Sequence, residues 1–128
     1  MSARLKGKTA VITGGNTGIG KAICKAFAKE GSNVIIGWHE HEAEALNLVD
    51  EITAESILAK AIPVDVTDET SVENFIRNAI ELFEGIDILI NNAGIQKAQP
   101  ITETSLEDWE AMMNVHLRGA FLCSRAVT

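Results

Sequence analysis

The chain has 128 residues, 46% of them hydrophobic and 23% charged, with 11 Lys and Arg against 18 Asp and Glu for a formal net charge of -7. That is the composition of one folded domain with a real core, and its acidity argues against nucleic acid or an anionic membrane as a main partner. No apolar run approaches the roughly 18 residues of a membrane span, and Met1 to Lys6 carries no apolar stretch of a secretory signal, so a cytoplasmic location is expected.

In chain order, Thr9 to Thr13 reads as a strand apolar on both faces, suited to a buried parallel sheet. It runs into Gly14-Gly15-Asn16-Thr17-Gly18-Ile19-Gly20 and then into a helical pattern. Ile19, Ile23 and Phe27, with Ala22 and Ala26 beside them, form the stripe expected to face the sheet, and Gly31 stops the helix. Strand, glycine turn and helix together present backbone N–H groups and a helix N-terminus to a phosphate.

Asn33 to Trp38 is the second strand. A helix opens at His39-Glu40-His41-Glu42 and runs to about Ala54, burying Leu46, Val49 and Ile52. Lys60 to Val66 is the third strand, and Pro63 inside it demands a sheet edge or a bulge. Thr67 to Ser71 starts a helix with Val72, Phe75, Ile76, Ala79, Ile80 and Phe83 inward, ended by Gly85. Ile86 to Ile90 is the fourth strand and Asn91 to Gly94 its exit turn. A polar loop reaches Ser105, which with Asp108 resembles a capping box. The last helix begins at Leu106 and turns Trp109, Met113, Leu117, Ala120 and Phe121 inward, with no stop signal before Thr128. Strand and helix alternate four times, which predicts a doubly wound parallel α/β sheet of order 3-2-1-4 spanning residues 1–128 as one domain.

The two cysteines, Cys24 and Cys123, sit in helical patterns and read as free thiols of a reducing compartment. Gly15 to Lys21 also fits G-x-x-x-x-G-K, but Ala22 stands where a metal-binding Ser or Thr would follow, which disfavours a triphosphatase. His39 and His41 make a paper metal pair with no further ligand, so no metal site is expected. The remaining spacing, Gly14-x-x-x-Gly18-x-Gly20, suits a tight turn, a close pyrophosphate and close helix packing. Asp65-Val66 after the third strand and Asn91-Asn92-Ala93-Gly94 after the fourth fall at the same sheet end, where open α/β sheets bind ligands.

This set resembles the short-chain dehydrogenase/reductase family, NAD(P)-dependent oxidoreductases of Rossmann type, and the likeness covers the chain from Leu5 to Phe121. Within the family it is similar to bacterial glucose 1-dehydrogenases and 3-oxoacyl-carrier-protein reductases. The resemblance implies that Thr13, Gly14, Asn16, Thr17, Gly18, Ile19 and Gly20 seat the cofactor's phosphates and ribose. It also implies that Asp65 and Val66 meet the adenine, and that Asn92, Ala93 and Gly94 line the nicotinamide ribose. Trp38 and His39 stand where cofactor choice is read. His39 holds a position that is Arg in many NADP-using members, so NADP or dual use with NAD is expected; a solvated helix start remains the alternative for His39, Glu40 and His41.

The implied reaction is hydride transfer between nicotinamide and a small alcohol or carbonyl of sugar or 3-oxoacyl type. It requires a Ser and a Tyr-x-x-x-Lys, and the chain contains no tyrosine. His116 occupies the family's Asn position in the motif that reads His116-Leu117-Arg118-Gly119-Ala120-Phe121; a packed helix residue is the alternative. The expectation is therefore a fold truncated after four strands, catalytically inactive alone. A non-catalytic dinucleotide module and a degenerate truncated product are the rival readings. A full-length relative is expected to be a dimer or tetramer, whereas the exposed fourth strand of this chain favours self-association.

Overall fold

A computed structural model describes residues 3–54, 57–95 and 98–128. Four parallel strands, β1 (Thr9–Thr13), β2 (Asn33–Trp38), β3 (Ala59–Pro63) and β4 (Ile88–Ile90), pair in the order β3-β2-β1-β4. The helices are α1 (Gly18–Lys29), α2 (Glu42–Thr53), α3 (Glu69–Phe83), α4 (Leu106–Met113) and α5 (Gly119–Val127). A 3₁₀ turn at Ile101–Glu103 precedes α4, and a π-helical turn at Asn114–Arg118 joins α4 to α5. Gln96 and Lys97 of the anticipated polar loop, and the first two residues, lie outside the described residues.

The pleat of the central strands divides the core. On one face Ala10, Ile12, Val34 and Ile36 pack with Cys24 and Ala28 of α1 and with Ala45, Leu48 and Ile52 of α2. On the other, Val11 and Ile35 pack with Val72, Phe75, Ile76 and Ala79 of α3 and with Leu122 and Cys123 of α5. Burial of each large side chain contributes about 1.5–3 kcal/mol, so the two layers hold the sheet between the helices. Pro63 ends the outer strand, consistent with an edge position, and the chain resumes pairing when the Val64 N–H donates to the Trp38 carbonyl at 2.8 Å.

Several expectations need correction. The buried side of α1 is Gly20, Cys24 and Ala28, with Ile23 and Phe27 half-buried beside it; Ile19 is 75% exposed, and Ala22 and Ala26 face solvent. Small residues at i, i+4 and i+8 let the helix approach the strands more closely than an isoleucine edge would. In α2, Ala45 and Leu48 take the inward places and Leu46 is exposed. That helix starts only at Glu42, because His41 adopts a left-handed conformation at φ 64°. In α3, Ile80 is exposed; the left-handed terminal residue is Glu84 at φ 59°, one place before the anticipated Gly85.

The largest departure is the last helix. Trp109, Leu117 and Phe121 are 51%, 63% and 57% exposed, while Gly119, Leu122 and Cys123 are buried. The π-helical turn adds a residue to the repeat and rotates everything beyond it by roughly 100°, a phase change that an uninterrupted 3.6-residue period does not contain. Strand β4 is also shorter than anticipated. The Asp87 carboxylate accepts from the Thr9 N–H at 2.9 Å and the Asp87 N–H donates to the Thr9 carbonyl at 2.9 Å, closing the strand's entry before Ile88.

Candidate functional site

The C-terminal ends of β1, β2, β3 and β4 open onto a cleft of about 510 Å³. It is lined by the glycine turn, the β2 exit from Trp38 to His41, the β3 exit from Val64 to Thr67, the β4 exit from Ala93 to Ile95, and Val115. β1 and β4 are neighbours although β2 and β3 intervene in sequence, so the crevice lies where the strand order reverses.

The N-terminus of α1 is presented without a cap. Thr17 is the N-cap, its side chain makes no capping hydrogen bond, and the first turn holds no acidic residue. The early N–H groups and the positive end of the helix dipole therefore face the cleft, an arrangement that favours an anion. Gly18 has φ +55°, and a Cβ built there would meet nothing within 4 Å, leaving the backbone open to a ligand. Gly20 is the opposite case. A Cβ there would collide with the Gly14 carbonyl oxygen and stand 2.5 Å from Asn92 Nδ2, so only glycine lets α1 start this close to the sheet.

Polar side chains lock the rim. Thr13 Oγ1 accepts from the backbone N–H groups of Asn92 and Ala93 at 3.1 and 3.0 Å, and Asn92 Nδ2 donates to the Gly14 carbonyl at 3.0 Å. Two strand exits are thereby fastened together. Asn16, 4% exposed, donates from Nδ2 to the carbonyls of Glu40 and His41 at 2.8 and 2.9 Å. The glycine turn thus carries the loop after β2. Asn91 turns away and donates to Ser124 Oγ at 3.2 Å.

Asp65 does not cap α3; Asp68 does, accepting from the Thr70 N–H at 3.1 Å. Asp65 Oδ1 accepts from Thr67 Oγ1 at 2.7 Å and from the Thr67 N–H at 3.0 Å, and its own N–H donates to Ser71 Oγ at 2.9 Å. The Thr67 hydroxyl and N–H hold the Asp65 carboxyl below its ordinary range, with a smaller pull from His39. The carboxylate is fixed at the cleft wall in its charged form.

His116 lies in the π-helical turn. Its Nε2 is 2.7 Å from the Ile95 carbonyl and 3.2 Å from the Ile95 N–H, and a Cβ on Gly94 would stand 2.5 Å from its Cε1. The ring packs against the β4 exit turn; a smaller polar recess of about 150 Å³ joins it to Thr13, Asn92 and Ala93. Asn114 is exposed in the same turn.

Of the residues singled out from sequence, Gly14, Asn16, Thr17, Trp38, His39, Asp65, Val66, Ala93 and Gly94 line the main cleft. Gly18, Ile19 and Gly20 form the first turn of α1 beside it, and Thr13 and Asn92 act beneath as the fastening. The sequence reading did not anticipate the Asn16 bridge, the Thr67 clamp on Asp65 or Val115 in the wall. The Asn16 bridge joins residues that only the fold brings together, whereas the Thr67 clamp is a local turn two residues long. The thiols of Cys24 and Cys123 are buried and take no part in the cleft.

Residues 8–128 match the family model for short chain dehydrogenases. The chain is 36% identical over 124 residues to a 3-oxoacyl-[acyl-carrier-protein] reductase of Synechocystis, covering 97% of the chain and 50% of the relative. It is 38% identical over 124 residues to 3beta-hydroxysteroid dehydrogenase 1 of Eggerthella lenta, covering 96% and 48%. Among solved structures, a short chain dehydrogenase from Burkholderia cenocepacia in complex with NADP superposes with a TM-score of 0.92 at 40% identity, over 97% of this chain and 51% of that one. The chain spans about half the length of the curated relatives it matches.

Proposed function

The chain belongs to the short-chain dehydrogenase family, and from that premise we propose that it binds a nicotinamide dinucleotide, NADP or NAD, in the cleft at the strand ends. The observation that carries this reading is the uncapped, acid-free N-terminus of α1 with Gly18 open above it. Those N–H groups suit a pyrophosphate, and none of the described residues comes within 4 Å of a Cβ built at Gly18. Asp65 and Val66 suit the adenine end, Trp38 and His39 the adenosine ribose. Asn92, Ala93 and Gly94 suit the nicotinamide ribose. The solved relative from Burkholderia cenocepacia holds NADP, which supports the same ligand class here.

When bound, the nicotinamide supplies or accepts a hydride. The chain's own contribution is to seat the dinucleotide and, through His116, to hold Gly94 and Ile95 in the wall of the cleft. The substrate class we propose is a small alcohol or carbonyl, of 3-oxoacyl or sugar type, with a 3-oxoacyl reductase among the relatives. With no tyrosine in the 128 residues, the proton donor and acceptor of a Tyr-x-x-x-Lys motif is not supplied by this chain. We therefore expect binding without turnover from these residues alone, and a dimer or tetramer when the remaining half of the family fold is joined to it.

Titrating the chain with NADPH and with NADH, read by nicotinamide fluorescence, tests the reading. Saturable binding of at least one, weakened in Gly18→Asp, is expected. No saturation with either cofactor would sink it. Carbonyl-dependent oxidation of NADPH by the 128 residues would overturn the expectation of no turnover.

A further inference from the structure

Resting on the cofactor reading, which puts the base end of the dinucleotide at Asp65 and Val66, we propose that Thr67 is a positioning residue. It fixes one carboxylate oxygen of Asp65 so that the other is left to meet the base, and it thereby makes the cleft select adenine over hypoxanthine. Thr67 is itself part of the cleft wall, but its hydroxyl and its N–H both donate to Asp65. Its effect on a ligand therefore runs through that carboxylate.

The carboxylate torsion of an aspartate is broad, so an unheld side chain offers either oxygen in many directions. Here Oδ1 takes two donors from one residue, the Thr67 hydroxyl at 2.7 Å and the Thr67 N–H at 3.0 Å. No described residue donates to Oδ2. The backbone under the pair is held from three sides. The Asp65 N–H donates to Ser71 Oγ at 2.9 Å, the Asp68 N–H donates to the Asp65 carbonyl at 3.1 Å, and Arg118 Nε of the π-helical turn donates to the Thr67 carbonyl at 3.2 Å. Val66 between them is 6% exposed and packs against Gly119, and its N–H has no acceptor among the described residues. A buried N–H of this kind calls for a partner from ligand or solvent. The strand exit thus presents an unpartnered acceptor, Oδ2, beside an unpartnered donor, the Val66 N–H.

That pair discriminates between bases. Adenine carries an amino donor next to a ring-nitrogen acceptor, which matches an acceptor beside a donor. Hypoxanthine carries a carbonyl acceptor in place of the amino group, next to a protonated ring nitrogen, and so sets like against like at both positions. The bonds from Thr67 also keep the Asp65 carboxyl charged, so Oδ2 offers lone pairs and no proton. Without the Thr67 hydroxyl the carboxylate keeps its charge at neutral pH but loses its fixed direction, and a swinging oxygen can turn away from the hypoxanthine carbonyl. What Thr67 adds is discrimination more than affinity.

The test measures dissociation constants of NADPH and NADH for the 128-residue chain at neutral pH, each against its counterpart with hypoxanthine in place of adenine. The unsubstituted chain should bind the adenine form about tenfold more tightly, the worth of a hydrogen bond to a charged group. Thr67→Val should bring that ratio to about threefold or less, and Thr67→Ser should keep it at its original value. Asp65→Asn is the sharper arm. The two Thr67 donors still hold Oδ1, so the amide Nδ2, a donor, takes the place of Oδ2, and the ratio should fall to about one or below. Joining Thr67→Val to Asp65→Asn should recover part of the adenine preference, because the amide can then turn its own oxygen to the base. A residue that only supports the fold would weaken both base forms alike and leave the ratio where it was. Equal binding of the two bases by the unsubstituted chain, an adenine preference untouched in Thr67→Val, or one untouched in Asp65→Asn overturns the inference and leaves the cofactor reading in place. If Thr67→Val melts before it can be titrated, Asp65→Asn decides by itself. Failure of every dinucleotide to bind overturns the two together.

Discussion

The Asn92 side-chain amide donates to the Gly14 carbonyl at 3.0 Å, and the Cα of Gly20 sits so close to that pair that no methyl group fits between them. The β4 exit, the glycine turn and the first turn of α1 therefore meet at one point. Gly20→Ala should force backbone apart from backbone, at about 1–3 kcal/mol of stability. Gly18→Ala has room for its methyl but needs φ +55°, and it places that methyl where the anion would approach. The expected split is the larger loss in Tm for Gly20→Ala, a smaller loss from about 1–2 kcal/mol of left-handed strain for Gly18→Ala, and a cofactor Kd weakened far more in Gly18→Ala than in Gly20→Ala. Thermal melts and titrations of the two variants, side by side, check it; equal effects on both quantities would show that the two glycines share one role.

Asn16 ties two segments that sequence separates. Its buried amide satisfies two carbonyls, of Glu40 and His41, just where His41 takes a left-handed conformation. Asn16→Ala should cost about 1–3 kcal/mol by leaving those carbonyls without their donor. Asn16→Asp should cost more, because it sets an acceptor against two acceptors. Both should also blunt discrimination between NADPH and NADH, since the loop after β2 loses its tether. Urea unfolding and paired cofactor titrations read the two effects, and an unchanged cofactor ratio would mean that the loop holds its shape without Asn16.

The parts of this architecture legible in the sequence were those written in local periodicity and punctuation. β1 and β2 carry unbroken apolar runs and α3 a clean 3.6-residue stripe, and Pro63 marks the sheet edge. Glycines at 14, 18 and 20 mark the turn because each position has a distinct steric need. What escaped was phase and long-range pairing. The π-helical turn at Asn114–Arg118 shifts which side of the last helix beyond it is buried, and no local residue preference announces it. Asn16 and Asp65 looked like direct ligand contacts, whereas much of their hydrogen-bonding capacity is committed to Glu40, His41 and Thr67.

The Thr67 clamp on Asp65 makes a pH prediction with a definite sign. The Thr67 hydroxyl and N–H hold the Asp65 carboxyl below the ordinary carboxylate range, which lies near ~3.9. A depressed folded value means that this contribution to stability is present above the ordinary value and is lost as the pH falls through the folded one. Thr67→Val removes the hydroxyl, the largest cause, and should move the Asp65 titration upward; Thr67→Ser should preserve it. His39→Gln should move it upward by less. Carboxyl-carbon NMR titration of the chain measures all three, and an Asp65 midpoint unmoved in Thr67→Val would show that the backbone turn alone sets it.

The two cysteines report on opening of the turn. Burial pushes the Cys24 thiol up to about 12 and the Cys123 thiol up to about 11, and Cys24 Sγ lies 3.4 Å from the Gly15 carbonyl beneath the glycine turn. Neither thiol should react with a disulfide reagent at neutral pH until the fold opens, because the thiolate is the nucleophile. Raised folded values also mean that stability is complete below the unfolded thiol range near ~8.5 and declines as the pH rises through the folded values. Cys24→Ala and Cys123→Ala should each flatten that alkaline decline. A dinucleotide seated on the glycine turn stabilises the closed form by mass action, so saturating cofactor should slow labelling of Cys24 about tenfold or more. Cys123, in the opposite core layer, is slowed to the same degree only if labelling requires global unfolding. Peptide-resolved labelling rates with and without NADPH distinguish the cases: selective protection of Cys24 locates the ligand at α1, and no protection of either thiol argues that the cleft takes no dinucleotide.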